Sequence, residues 1–123
     1  MLLIKTYLSL LPKKGISLFA GEDLKPGQIF HIEEQVIDKK ISGNIARRMP
    51  NYHFIRKYAV YNREKDEYYL SGDDERFMNH SEYPNCVYID TLGIIREYIL
   101  KGTELTCDYR TVCDHRLQEG LEF

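Results

Sequence analysis

Glycines and prolines cut this chain into short apolar runs, each long enough for one strand or a brief helix and no more. Gly15 opens GISLFA, the turn signal Pro26-Gly27 precedes QIFHI, and Lys101-Gly102 precedes Glu104–Cys107. Residues 2–11 are rich in Leu, Ile and Tyr and read as a strand, and Val36-Ile37 as further strand material. Residues 58–61 and 68–70 bracket the polar loop NREKDE as one hairpin. Residues 87–91 and 94–99 bracket Leu92-Gly93 as a tighter one. Residues 44–57 have the spacing for a helical turn, interrupted by Pro50. Short strands joined by glycine-bearing turns predict a mainly β fold with little helix.

The length of 123 residues predicts a single domain, 1–123, with no repeat or linker inside it. With 43% hydrophobic and 29% charged residues, the chain is expected to be soluble and globular. The net charge of −2 excludes duplex binding by bulk positive charge, so no direct nucleic-acid partner is expected. The apolar N-terminus is split by Lys5 and lacks a preceding basic stretch, so it is not read as a signal peptide. No stretch approaches the ~20 apolar residues of a membrane span. Cys86, Cys107 and Cys113 fit neither a disulfide framework nor a four-ligand zinc set, so reduced thiols and no metal are expected. An intracellular location follows, cytoplasmic or nuclear.

Two clusters carry chemistry. Arg76–Cys86, RFMNHSEYPNC, gathers Arg, two Asn, His and Ser, which can read a polar ligand through donors and acceptors. Alone it reads equally as a surface turn capping its own backbone before Pro84. Lys101–Tyr109, KGTELTCDY, alone reads as a turn and a strand.

Taken together, FMNHSxxPN followed by GxELTxDY resembles the SET-domain protein lysine methyltransferases. Gly15–Ala20 is similar to that family's G-x-G-x-F-A motif, and Gly21–Gly27 to the turn that follows it. The resemblance covers about residues 14–109 and leaves a short tail, 110–123. It implies small curved β-sheets and a C-terminal pseudoknot in which the NHS and DY segments meet. The implied reaction is methyl transfer from S-adenosylmethionine to the ε-amine of a lysine in a protein, histone or non-histone. A non-catalytic SET-type protein-binding module is the alternative. The joint presence of Asn79, His80 and Tyr109 argues against that alternative.

By the same resemblance, the backbone of Gly15, Ile16, Ser17 and Leu18, together with Asn79 and His80, binds the cofactor. Arg76 pairs either with the cofactor carboxylate or with Asp73 or Asp74. Tyr109 is the catalytic tyrosine, and Cys107 and Tyr98 are assigned to the substrate channel. Cysteine at 107, where relatives carry Phe or Tyr, leaves room for di- or trimethyllysine, unless Tyr88 or Tyr98 fills it. The chain departs from the family at Ser17, which replaces a glycine. It also departs at Glu82 and after Tyr109, where zinc-binding relatives carry cysteines. Leu117, Leu121 and Phe123 are candidates to cover the adenine. So small a unit is also a candidate homodimer, a partner completing its channel.

Overall fold

The structure is a computed structural model that describes residues 1–111. Strands β1 (Thr6–Leu11) and β2 (Gly15–Ala20) form an antiparallel hairpin, from Thr6 opposite Ala20 to Leu11 opposite Gly15. Strands β3 (Ile29–Ile32), β8 (Cys86–Ile89) and β9 (Leu92–Ile95) make an antiparallel sheet in the order β3-β9-β8. Strands β4 (Lys39–Ser42), β5 (Val60–Asn62) and β6 (Glu67–Leu70) make another, in the order β4-β6-β5. Between β4 and β5 run two short helices, α1 (Gly43–Ala46) and α2 (Tyr52–Tyr58). Strands β7 (Asn79–His80) and β10 (Thr106–Cys107) pair in parallel. The mainly β expectation holds, and the helical stretch is divided on either side of Pro50 as its missing N–H requires.

Two cores form. Leu18, Leu24, Phe30, Met78, Ile95, Ile99 and Leu105 pack among β2, β3 and the sheet around β9. Ala46, Ile55, Ala59 and Tyr68 pack the two helices onto β6.

Three local expectations are corrected. Val36-Ile37 lies in a turn, because the Ile37 and Asp38 N–H groups donate to Glu34 O and the Asp38 carboxylate accepts the Glu34 N–H at 2.7 Å. The first strand starts at Thr6 rather than residue 2. The second hairpin turns at Asp90-Thr91, with Ile89 opposite Leu92 and Tyr88 opposite Gly93. Asp90 takes the positive φ of +54° that the turn needs, a conformation aspartate tolerates better than most residues. Gly93 is thereby a strand residue, kept bare because Phe30 lies against it. A Cβ there would come 2.7 Å from Phe30 Cζ and 2.9 Å from His31 Cβ.

Gly93→Ala therefore overpacks a site closed by a fully buried ring. It should destabilise the fold by about 1–3 kcal/mol in urea unfolding. In a Phe30→Leu background the same change should cost measurably less. Simple additivity of the two substitutions would show that the Phe30 contact is not the cause.

Candidate active site

The parallel ladder sets Thr106 beside Asn79 and Cys107 beside His80, which joins the two clusters read from the sequence. Side chains reinforce it. Asn85 Nδ2 donates to Glu104 O at 2.8 Å, and Asn85 Oδ1 accepts the Thr106 N–H at 2.9 Å. His80 Nδ1 accepts the Tyr109 N–H at 3.0 Å, so the neutral ring carries its proton on Nε2. Asn79 Nδ2 donates to Ser17 Oγ at 2.6 Å and to Glu104 Oε2 at 2.9 Å, and Lys14 Nζ meets Glu104 Oε1 at 2.9 Å. Asp108 lies 3.6 Å from His80 Nδ1, and the Arg110 guanidinium holds its carboxyl below the usual carboxylate range.

Two cavities flank this junction. The smaller, about 500 Å³, is lined by Gly15, Ile16, Phe77, Asn79, His80 and Tyr109 among others. The larger, about 540 Å³, is lined by Glu75, Met78, Tyr88, Cys107 and Tyr109 among others. Lys57, Tyr58, Arg76 and Tyr109 line both. The Tyr109 ring packs on His80 with centroids 5.5 Å apart, and its hydroxyl donates to Met78 O.

Gly15, Ile16, Arg76, Asn79, His80 and Tyr109 thus converge on the smaller cavity, and Cys107 on the larger. Ser17 and Leu18 do not line either. Both are fully buried, and the Ser17 side chain serves as an acceptor for Asn79. Tyr98 also lines neither cavity and is 75% exposed. The strand that was to carry it inward ends at Ile95, so its assignment to the channel is corrected, and Tyr88 occupies the wall instead. Arg76 pairs with neither Asp73 nor Asp74. Its guanidinium lies over Phe77 and Phe54, 5.0 and 5.9 Å from the ring centroids, and its buried Nε has no hydrogen-bond partner among the described residues. Leu117, Leu121, Phe123 and Cys113 lie outside the described residues.

Glu104, Asn85, Glu75 and Lys57 are residues of the site or its supports to which the sequence reading gave no role, while Tyr58 is one of several tyrosines that could line a lysine channel. Glu104 and Asn85 stand inside the quoted motifs, whereas nothing near Lys57 marks it. Burial pushes the Cys86 thiol up to about 12. Burial first, and then the neighbouring Glu75, hold the Tyr88 phenol well above its usual range. His31, Asp73 and Glu75 have potential ligand atoms within 4.8 Å of one another. Those groups are already engaged: Asp73 accepts the Leu2 N–H, Glu75 accepts from Tyr88, and Met1 N lies 2.9 Å from His31 Nε2. No helix among the described residues is long and apolar enough to cross a membrane.

With this geometry in place, comparison with known proteins is decisive for the family. The sequence model of the SET domain matches residues 15–110. The chain belongs to the SET-domain family. Similar solved structures include a proposed histone methyltransferase of Plasmodium falciparum, at 21% identity and TM-score 0.60, covering 86% of this chain and 93% of that one. The Polycomb Repressive Complex 2 of Chaetomium thermophilum bound to an inhibitor is similar at 20% identity and TM-score 0.67, covering 94% of this chain. A humanised mutant of that complex, also inhibitor-bound, is similar at 23% identity and TM-score 0.61, covering 86%. The SET domain spans only 17% and 15% of those two Chaetomium chains. At these identities the likeness establishes the fold. No curated protein matches the sequence.

Asn85→Ala would leave the Thr106 N–H and the Glu104 carbonyl without their side-chain partner. The expected loss is about 1–3 kcal/mol by urea unfolding. Unchanged stability would mean that the ladder does not depend on this side chain.

Proposed function

We propose that this SET domain transfers a methyl group from S-adenosylmethionine to a lysine ε-amine of a protein. The observation that carries the reading is that two cavities of unlike character meet at Tyr109.

The smaller cavity fits the cofactor. Gly15 has φ +78°, and a Cβ built there would meet no atom within 4 Å, so the bare backbone leaves that space to a ligand. Both protons of the Asn79 amide are used by Ser17 and Glu104, which leaves its carbonyl oxygen as the group to offer a ligand donor. Lys13, Lys57 and Arg76 line the cavity and no carboxylate does among the described residues, a setting that suits the cofactor's carboxylate. Ile16, Leu10 and Phe77 supply apolar surface for the adenine. S-Adenosylmethionine, when bound, supplies an electrophilic methyl group on a sulfonium.

The larger cavity suits the acceptor. A lysine ammonium with pKa ~10.4 must lose a proton before it can attack, at a cost of about 4–5 kcal/mol at pH 7. A channel walled by Met78, Tyr88 and Cys107 disfavours the charged form. Alignment of the neutral amine can then supply about 7–11 kcal/mol of the barrier. Tyr109, a poor base near neutral pH, orients the amine and presents its oxygen to the partly positive methyl in transit.

The test is transfer of labelled methyl onto a protein lysate and core histones, with mass spectrometry of the products. Methyllysine is expected. Cofactor binding without transfer would replace this reading with that of a binding module. Tyr109→Phe should slow transfer by at least a hundredfold with cofactor affinity nearly intact. Near-normal turnover in that variant would remove Tyr109 from the reaction.

The small Cys107 side chain leaves space where an aromatic would crowd the nitrogen. Exhaustive turnover should therefore yield di- or trimethyllysine, and Cys107→Phe should shift the mixture toward lower states. Monomethyllysine from both proteins would show that Cys107 does not set the limit.

A further inference from the structure

One carboxylate in the acceptor cavity accepts a hydrogen bond from a phenol. Glu33 has Lys40 at 3.3 Å, but among the described residues no Lys or Arg lies within 4.0 Å of Glu75. Glu75 nevertheless lines the cavity, its side chain 14% exposed. Tyr88 Oη donates to Glu75 Oε1, and Tyr88 lines the same cavity. The phenol's proton is therefore committed to the carboxylate, and what its oxygen offers the cavity is an acceptor.

We propose that Glu75, acting through the Tyr88 phenol, takes the proton that a substrate ammonium must lose before methyl transfer. The inference rests on the methyl-transfer reading above. An ammonium N–H donates to Tyr88 Oη. That N–H bond breaks and the proton joins Oη, while the phenol's own proton passes to Glu75 Oε1. Ammonium becomes amine with its electron pair free, carboxylate becomes acid, and the phenol is unchanged. The hydrogen-bonded chain from cavity to carboxylate gives the proton a path that needs no movement of either side chain. The partial exposure of Glu75 then lets the proton leave to water. Other groups face the carboxylate: His31 from β3, with Nε2 3.6 Å from Glu75 Oε2, Tyr69 from β6, Asp73 from its own turn, and Met1 N beside His31. Glu75 is here a proton-accepting and positioning residue, and Tyr88 the group that touches the amine.

Initial rates of labelled-methyl transfer to lysate protein and core histones, measured from pH 6.5 to 10, test this with wild type, Glu75→Gln and Tyr88→Phe. Both variants should lose about tenfold or more at pH 7. The gap should close toward pH 10, where lysine begins to lose its proton to bulk water. Tyr88→Phe keeps the ring that packs on Phe30, so it decides the matter if Glu75→Gln does not fold. Undiminished rates at pH 7, or a loss of equal size at every pH, would overturn the relay while leaving methyl transfer standing. No methyllysine from wild type at any pH would overturn the methyl-transfer reading and this inference with it.

Discussion

The Glu104 carboxylate holds the site together. One oxygen accepts from Asn79 and the other meets Lys14, so a single side chain ties the start of β2 to β7 and to the segment entering β10. The β7–β10 ladder has only two residue pairs. So short a parallel ladder gains little from its backbone bonds, each worth about 1 kcal/mol net, against the entropy of closing the loop between the strands. Asn85 and His80 supply the remainder by bonding to the backbone of the incoming strand. Of the residues that bring the two motifs together, Lys14, Asn79 and His80 also line the smaller cavity, while Glu104 and Asn85 brace them from behind it.

The cavities lie where the two cores approach each other. Tyr58, at the end of α2, packs on Phe77 with centroids 5.2 Å apart, and Phe54 packs on Tyr58 at 4.9 Å. Phe77 immediately precedes Met78 and Asn79, so the helical unit rests directly on the chain that carries the site. This explains why Lys57 and Tyr58, far from either motif, line both cavities. A substitution that loosens Ile55 or Ala59 in the second core would reach the site through this aromatic contact, without touching a motif residue.

Local chemistry made much of the fold legible. The β1–β2 hairpin, the break at Pro50 and the loop before β6 follow from turn residues and alternation. The pairing of β7 with β10 does not follow from any local rule, because its partners lie 27 residues apart and their approach depends on Asn85 and Glu104; only the family resemblance pointed to it. Tyr98 was misplaced for a physical reason. Reading a strand to Ile99 puts it on a sheet face, but Arg96 N–H bonds to Asn85 O and the chain leaves the ladder there, with Ile99 turned in beside Leu24 and Tyr98 turned out. Ser17, which departs from the family glycine, is explained by burial. Its hydroxyl oxygen accepts from Asn79 and does not line the smaller cavity, so the added Cβ does not obstruct the loop.

The acidic side chains sort by cavity, and that sorting gives the site a direction. Lys13, Lys14, Lys57 and Arg76 line the smaller cavity, with no acidic side chain among its described residues. Lys14 is already neutralised by Glu104, but Arg76 lies over ring faces and has no carboxylate paired with it among the described residues. A cation–π contact is worth about 0.5–2 kcal/mol, less than a desolvated guanidinium gains from a carboxylate at hydrogen-bond distance. Arg76 is therefore better satisfied by an incoming anion than by its present neighbours. The larger cavity is different: Glu33, Glu67, Glu75 and Asp90 balance Lys40, Lys57, Lys65 and Arg76, and Glu75 has no lysine or arginine beside it among the described residues. An anionic group is favoured on one side of Tyr109, and the other side carries no net charge from its lining. A cofactor carboxylate and a lysine side chain would thus meet different charge settings, and the tyrosine common to both cavities is where their reacting atoms would meet.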